Sequence, residues 1–306
     1  MKKNVLIEKP LQVNNVRGNN YECGYETGKI FCRTIRSRIK CLGTGKHVPE
    51  KNILSFESDF PEYFAELDGI ADGANVPLST VFTLNLNDIL RHSCSTVVDW
   101  KNGLPVVGHN EDWSSLTMKK TWGKIVQYNI KDRVFTAYTY AGELFGNGYG
   151  WNDKNIYFFV NSIESPIKIE VGMSKVTPIY VMLRRMYEYD HLDTVIRYLK
   201  ETDIAGSVQI TILQENKVYS IEKYYSQTLI KKVEVVYAHT NHLIHDGTLG
   251  LDRTNKNSVF RLSRIHELLK ENKQMFEILH DSKNHPYAIY GTSKDEHTTL
   301  SSIIVS

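Results

Sequence analysis

Cys94 lies where helical sequence gives way to strand sequence, in Arg91-His92-Ser93-Cys94-Ser95-Thr96. That is an unusual place for a packing cysteine. Lys101-Asn102-Gly103 signals a hairpin, and the returning strand ends in Gly108-His109-Asn110-Glu111-Asp112-Trp113. A thiol is thereby brought close to a carboxylate, an imidazole and an amide, the equipment of nucleophilic catalysis. Cys23, Cys32 and Cys41 are evenly spaced and form no C-x-x-C pair, so they read as small buried hydrophobes with free thiols.

Other motifs carry less chemistry. Gly146-Asn147-Gly148-Tyr149-Gly150 has the look of a nucleotide-binding glycine run, but such a run opens a helix and this one leads into the strand-like Ile156-Tyr157-Phe158-Phe159-Val160. Its glycines are expected to permit a turn and close backbone packing. Gly43-Thr44-Gly45-Lys46 fails as a phosphate loop, because Lys40 stands where the first glycine belongs and His47 where Ser or Thr belongs. His239, His242 and His245 are each three residues apart, so on a strand successive ones point to opposite faces, and with no H-E-x-x-H or cysteine-pair spacing no metal or cofactor is expected.

The elements that must position Cys94 follow from periodicity. From Arg17 to about Asp88 the apolar spacing is helical, as in Phe31, Ile35 and Ile39, then Phe64, Leu67, Ile70 and Ala74, with Pro61 placed to open a helix. Strands follow around Cys94 and from Leu104, then at Lys124 to Ile130, Val134 to Tyr140 and Asn155 to Ser162. Helical stretches come at Ile179 to Tyr189 and Leu192 to Lys200. Strands resume at Ser207 to Leu213, Lys217 to Lys223 and Leu229 to Ala238. Ser258 to Leu269 and Met275 to His280 look helical, and Thr299 to Val305 is a final strand. Strand runs separated by helix pairs suggest an α+β chain of two antiparallel sheets with helices outside them, and no repeat or linker divides residues 1–306 into more than one domain.

Composition narrows the function. With 41% hydrophobic and 24% charged residues and a formal charge of +2, the 306-residue chain lacks the basic excess of a nucleic-acid binder. The first ten residues break their apolar run after three, so neither a signal peptide nor a membrane span is expected, and the cytoplasm is the default location. Oligomeric state is not legible.

A set of fragments in order along the chain carries a resemblance. Gly18-x-x-Tyr21-Glu22-x-Gly24-x-x-x-Gly28 is followed by Glu66-Leu67-Asp68-Gly69-Ile70-Ala71-Asp72-Gly73, then by Cys94-Ser95-Thr96 and Gly108-x-Asn110-x-Asp112-Trp113. Gly150-Trp151-Asn152 leads on to Asn161, and His239-Thr240-Asn241-His242, Ser258-x-x-Arg261 and Thr299-Leu300-Ser301-Ser302-Ile303 close the set. Together they resemble the N-terminal-nucleophile hydrolases of the isopenicillin N acyltransferase family, which also resemble choloylglycine hydrolases.

The resemblance implies a four-layer αββα sandwich and a precursor that cuts itself before the nucleophile. Residues 1–93 would then form one segment and 94–306 another, with Cys94 as a new N-terminus. Asp112 would orient the freed Cys94 amine, Asn241 would donate to the oxyanion, Asn161 would be the second asparagine of the site, and Arg261 would support the nucleophile. Each has a plain structural alternative: a turn aspartate, an Asx-turn, a buried strand amide, a helix-surface arginine. His109, where choloylglycine hydrolases carry arginine, would touch a polar substrate group, contribute to proton transfer or simply make a structural hydrogen bond. Trp113 and Trp151, with Tyr149 and Phe158, suit an apolar acyl pocket or a core. Ser93 stands where many relatives have glycine, and the chain ends soon after Thr299, where relatives usually continue.

The expected activity is hydrolysis of a linear amide, or transfer of its acyl group to an amine, through a Cys94 thioester. The partners would be a small acyl amide, or an acyl thioester such as an acyl-CoA together with an amine acceptor. Two other readings stay open: an unprocessed cysteine hydrolase using His109 or His92 as base, and a non-catalytic binding protein.

Overall fold

A computed structural model describes residues 3–8, 12–42, 48–86, 92–115, 122–164, 176–245 and 256–306. Strands β1 (Val5–Ile7) and β2 (Asn14–Arg17) precede four helices, α1 (Asn20–Leu42), α2 (Glu50–Asp59), α3 (Pro61–Ala74) and α4 (Leu78–Leu86). Pro61 opens α3 and left-handed Asn75 ends it. The glycines four apart in the two N-terminal motifs have a physical reason. Gly24 and Gly28 of α1 face Gly69 and Gly73 of α3, and a Cβ at any of them would collide with the other helix's backbone, at Glu66, Ile70, Tyr21 or Tyr25. The motif is a helix crossing.

The hairpin follows as β3 (His92–Lys101) and β4 (Leu104–Ser114), joined by Asn102 and Gly103 with φ of 52° and 77°, the pair of left-handed residues a type I′ turn demands. Next come β5 (Gly123–Ile130), β6 (Arg133–Tyr140), β7 (Gly150–Asn152) and β8 (Ile156–Ile163), then α5 (Ile179–Met186) and α6 (Leu192–Glu201). Strands β9 (Ser207–Gln214), β10 (Lys217–Tyr224), β11 (Gln227–Lys232) and β12 (Tyr237–His239) precede α7 (Lys256–Lys270), α8 (Met275–Leu279) and β13 (His297–Val305).

Two sheets result, ordered β1-β13-β4-β3-β12 and β11-β10-β9-β8-β7-β6-β5-β2. Neighbouring strands are antiparallel except at one edge, where β2 runs parallel to β5. Period-two alternation divides the core into three slabs. On β8, Phe158 and Val160 pack with Phe31, Leu67, Phe82 and Leu183 of the first helical layer, while Tyr157 and Phe159 face Val98, Val107 and Ile303 of the other sheet. Val97 and Ala238 face the second helical layer through Ile265, Leu268, Met275 and Ile278. Helices, sheet, sheet, helices: four layers, as the resemblance implies.

Three details depart from the sequence reading. β1 and β2 were not expected, being three and four residues long with no apolar alternation. Residues 229–238, read as one strand, are two, because the chain leaves the large sheet after Lys232 and enters the small one at Tyr237. Val235 and Val236 in that crossover are 70% and 48% exposed, so their β-branched side chains signal a strand where none is buried. The short β7 lies between the Gly146–Gly150 turn and the expected strand at Ile156. Residues 43–47, rejected above as a phosphate loop, and the side chains of Cys41 and His92 lie outside the described residues. Among the described residues, no helix is long and apolar enough to cross a membrane.

Candidate active site around Cys94

The two-residue turn fixes the β3–β4 register, pairing Lys101 with Leu104 and, seven residues back, Cys94 with Glu111. Cys94, Thr96 and Val98 therefore point into the gap between the sheets, opposite Glu111, His109 and Val107. Ser93 and Ser95, opposite Asp112 and Asn110, point the other way, toward α7 and α8. Asn110 donates to the carbonyls of Leu279 and Ile289, which ties this strand to the outer layer.

Arg261 is the hub on the α7 side. It is buried, and all five of its N–H groups find acceptors. Nη1 donates to the Cys94 carbonyl and to Ser95 Oγ, both at 2.7 Å; Nη2 donates to Ser93 Oγ at 2.5 Å and Asn241 Oδ1 at 2.7 Å; Nε donates to Asn257 Oδ1 at 2.6 Å. Asn257 lies one helical turn before Arg261 on the same helix face. Burial pulls the guanidinium's pKa down, and the carboxylate of Asp112 opposes that pull.

Asn241 sits just beyond β12. Its Oδ1 accepts from the Cys94 backbone N–H at 2.8 Å as well as from Arg261, while its amide NH₂ donates to Ser162 O at 2.8 Å. Two obligate donors on one atom fix that atom as oxygen. In the intact chain Asn241 thus shows Cys94 its carbonyl, and the NH₂ that the resemblance makes an oxyanion donor is turned to Ser162. The loop is pinned by Ser258 Oγ, which accepts from Asn241 N at 2.7 Å, and by Glu222, whose carboxylate accepts from the backbone of Ile244 and His245 and bonds His239 Nε2 at 2.9 Å.

Asp112 is buried rather than a solvated turn residue. Burial raises its pKa to about 7, against the opposing pull of Arg261 and a hydrogen bond from Thr299, and its Oδ1 has no hydrogen-bond partner among the described residues. Burial also pushes the Cys94 thiol well above its ordinary range, with Glu111 and Asp112 adding to the push and Arg261 opposing it.

On the inter-sheet side a continuous chain of polar contacts begins at the thiol. Cys94 Sγ lies 3.7 Å from Glu111 Oε2, which also accepts from the Tyr140 hydroxyl at 2.7 Å. Glu111 Oε1 meets His109 Nε2 at 3.0 Å, His109 Nδ1 meets Thr96 Oγ1 at 2.8 Å, and Thr96 donates to Asn161 Oδ1 at 2.6 Å. Asn161 Nδ2 then donates to the His239 carbonyl at 3.3 Å. Asn161 is a buried strand amide separated from the thiol's neighbour, Glu111, by His109 and Thr96, and His109 is fully buried with both nitrogens engaged. Trp113 is packed between Trp122 and Tyr140 in the inter-sheet core, while half-buried Trp151 lies against Tyr157.

The sequence reading passed over Glu111, Thr96 and Tyr140. The signal for the first was present, since a two-residue Asn-Gly turn sets every cross-strand pair by counting outward. Among the described residues, Cys94, His109 and Glu111 are the group close enough together to hold a cation, their donor atoms lying within 4.8 Å of one another. His239, His242 and His245 instead bond Glu222, Ser258, and Ser220 with Tyr237.

The family model for acyl-coenzyme A:6-aminopenicillanic acid acyl-transferase matches residues 98–306, more than half of the chain. The chain belongs to this family. The matched segment starts just after Cys94 and includes Asp112, Asn161, Asn241 and Arg261. A beta-alanyl-dopamine/carcinine hydrolase from Drosophila melanogaster is 26% identical over 247 residues, covering 67% of this chain and 63% of that protein, so the chain spans less than two thirds of this relative. Two solved structures are similar at lower levels. An N-acylethanolamine-hydrolyzing acid amidase ortholog from Caenorhabditis elegans has a TM-score of 0.47 and 13% identity, covering 62% of this chain and 87% of that one. Penicillin V acylase from Agrobacterium tumefaciens has a TM-score of 0.34 and 9% identity, covering 58% and 57%.

Proposed function

We propose that this member of the acyltransferase family is a self-processing cysteine enzyme of the N-terminal-nucleophile type, which cleaves a linear amide or passes its acyl group to an amine through a Cys94 thioester. One observation carries the reading: the backbone of a buried cysteine is held on both flanks, the N–H of the Ser93–Cys94 peptide by Asn241 and the carbonyl of the Cys94–Ser95 peptide by Arg261, with the buried carboxylate of Asp112 nearby.

Attack of Sγ on the Ser93 carbonyl moves the peptide from nitrogen to sulfur, and water then releases Ser93. The freed α-amine has a reference pKa of about 7.7–8.0, against about 10.4 for lysine, so it serves as a general base near neutral pH. The Asp112 carboxylate receives the ammonium form, and Asn241 Oδ1 keeps its hold on the same nitrogen. The amine takes the Cys94 proton, the thiolate attacks the substrate carbonyl, and the amine returns the proton to the leaving nitrogen. Donation to the oxyanion by the Asn241 NH₂ requires that group to leave Ser162; the loss of one such donor typically costs about 2.7–4 kcal/mol in the transition state.

Water on the thioester gives a hydrolase and an amine gives an acyltransferase. The named activity of the Drosophila relative favours the first, with a short acyl amide as substrate, and the family's description favours the second, with an acyl-CoA as donor. An unprocessed enzyme with His109 as direct base is disfavoured, because neither ring nitrogen of His109 contacts the thiol. The chain is read as one unit, 1–93 remaining with 94–306, acting on small molecules in the cytoplasm.

The test is to incubate the purified chain with a β-alanyl amide and with a longer N-acyl amide, measure released amine, and acid-quench early for mass analysis. Amine release with an acyl adduct on the Cys94 peptide is expected. A processed chain that releases no amine and traps no acyl group would be a binding protein instead.

A further inference from the structure

We propose that Glu111, backed by His109, is the base that takes the Cys94 thiol proton when the chain cuts itself, an assignment that rests on the self-cleavage reading above. The need for such a base is chemical. Before the cut the Cys94 nitrogen is an amide that donates to Asn241, so it has no lone pair to offer and the base of the mature enzyme does not yet exist. A side chain must do the work once.

Geometry selects the side chain. Glu111 Oε2 is the acceptor on Cys94 Sγ, at 3.7 Å. Asp112 extends from the opposite face of β4, toward Arg261 and Thr299. His109 reaches the thiol only through Glu111.

The hydrogen-bond chain also fixes where protons are. Asn161 Nδ2 donates to a backbone carbonyl, which turns Asn161 Oδ1 toward Thr96. The single hydroxyl proton of Thr96 is therefore spent on Asn161, and Thr96 Oγ1 must accept from His109 Nδ1–H. With Nδ1 protonated, the 3.0 Å contact between Nε2 and Glu111 Oε1 is a hydrogen bond only if one proton lies between them. The pair is either imidazolium and carboxylate or imidazole and carboxylic acid, neutral overall in both. That neutrality suits a site in which Cys94, His109 and Glu111 are all buried.

This pair takes up a proton by relay. The thiol proton passes to Glu111 Oε2, and the shared proton rests on His109 Nε2, leaving a thiolate beside a neutral carboxylic acid and an imidazolium. The thiolate's electron pair forms the bond to the Ser93 carbonyl carbon, and the carbonyl π pair moves to oxygen. As the tetrahedral centre collapses, the Ser93–Cys94 C–N bond breaks and its nitrogen takes the proton from Glu111. The products are a thioester and a free amine, with the pair restored to its starting state. Water then adds to the thioester carbon, sulfur leaves as the thiol, and the carboxyl proton goes to the amine. Glu111 touches the reacting sulfur and is catalytic in this step; His109 is a positioning residue that stores the proton.

The test follows cleavage during cell-free synthesis of the full chain, by denaturing gel and intact mass, from pH 5.5 to 9, for wild type, Glu111→Gln, Glu111→Asp and His109→Gln, each checked for a cooperative melt. Glu111→Gln is expected to slow the cut by about 100-fold or more, as loss of a general base does, while the chain still melts cooperatively. Glu111→Asp should restore the rate to within about tenfold. His109→Gln should move the acid limb of the pH–rate profile, which a packing role would not do. If Glu111→Gln has no cooperative melt, His109→Gln decides: a wild-type profile overturns the assignment. Cleavage of folded Glu111→Gln at the wild-type rate overturns it while leaving self-cleavage intact, and a wild-type chain that stays whole overturns both.

Discussion

Arg261 on α7 and Cys94 on β3 meet at a peptide carbonyl, with Nη1 2.7 Å from the Cys94 oxygen. The remaining donors of the guanidinium bind the residues on both sides of Cys94, the asparagine that holds its nitrogen, and Asn257. Lysine has a point charge and three donors on one atom, so it cannot span this set. Arg261→Lys is expected to lower the unfolding free energy by about 3 kcal/mol in urea titration and to leave the chain uncut. Wild-type stability in that variant would mean the hub is not holding the site.

Asp112 gives a pH dependence with a definite sign. Burial lifts its carboxyl to about 7 in the folded chain, against about 3.9 when unfolded. Its contribution to stability is therefore fully present below about pH 4 and is lost as pH rises through 7. In a Cys94→Ala background, which keeps the chain intact, Asp112→Asn should raise stability at pH 8 by about 2–4 kcal/mol and change it little at pH 4. The measurement is urea unfolding at both pH values, and equal effects at the two would contradict the assigned shift.

The cut is expected to leave the two pieces bound. Among the described residues two buried ion pairs join them, Arg38 with Glu143 and Glu66 with Arg184, and β1 and β2 are built into sheets completed by β13 and β5. Size-exclusion chromatography should show residues 1–93 co-eluting with 94–306 and separating only in denaturant. Glu66→Gln, which leaves Arg184 facing a neutral amide, should weaken the assembly by about 3–5 kcal/mol.

Gly148 is the floor beneath Glu111. A Cβ there would sit 2.6 Å from Glu111 Oε1, the atom that meets His109. Gly148→Ala is expected to slow cleavage more than it lowers the melting temperature, because the clash falls on the carboxylate. A variant that cuts at the wild-type rate would show that Glu111 need not stay on His109.

What the sequence made legible was local. The Asn102-Gly103 turn and the apolar periodicity from α1 to α4 are each written in a few adjacent residues, whereas the glycine pairs were visible as motifs but their α1–α3 crossing was not. The crossover at Val233 to Val236 was not legible, because exposed β-branched residues look the same as buried ones in a sequence, and it is this crossover that carries His239 and Asn241 to the small sheet beside Cys94. Arg261 was quoted in a motif, but its burial depends on a helix docking across β3. Glu111 lay within the hairpin motif and stood opposite the thiol by register alone; the polar chain through His109, Thr96 and Asn161 depends on two sheets meeting and has no one-dimensional trace.

The most direct measurement is the denatured intact mass of freshly purified wild type beside Cys94→Ala. Two species split between Ser93 and Cys94, about 11 and 24 kDa, in the wild type and a single full-length species in the variant are expected. A single full-length wild-type species with turnover, or cleavage that persists in Cys94→Ala, would contradict Cys94 as a nucleophile that makes its own N-terminus.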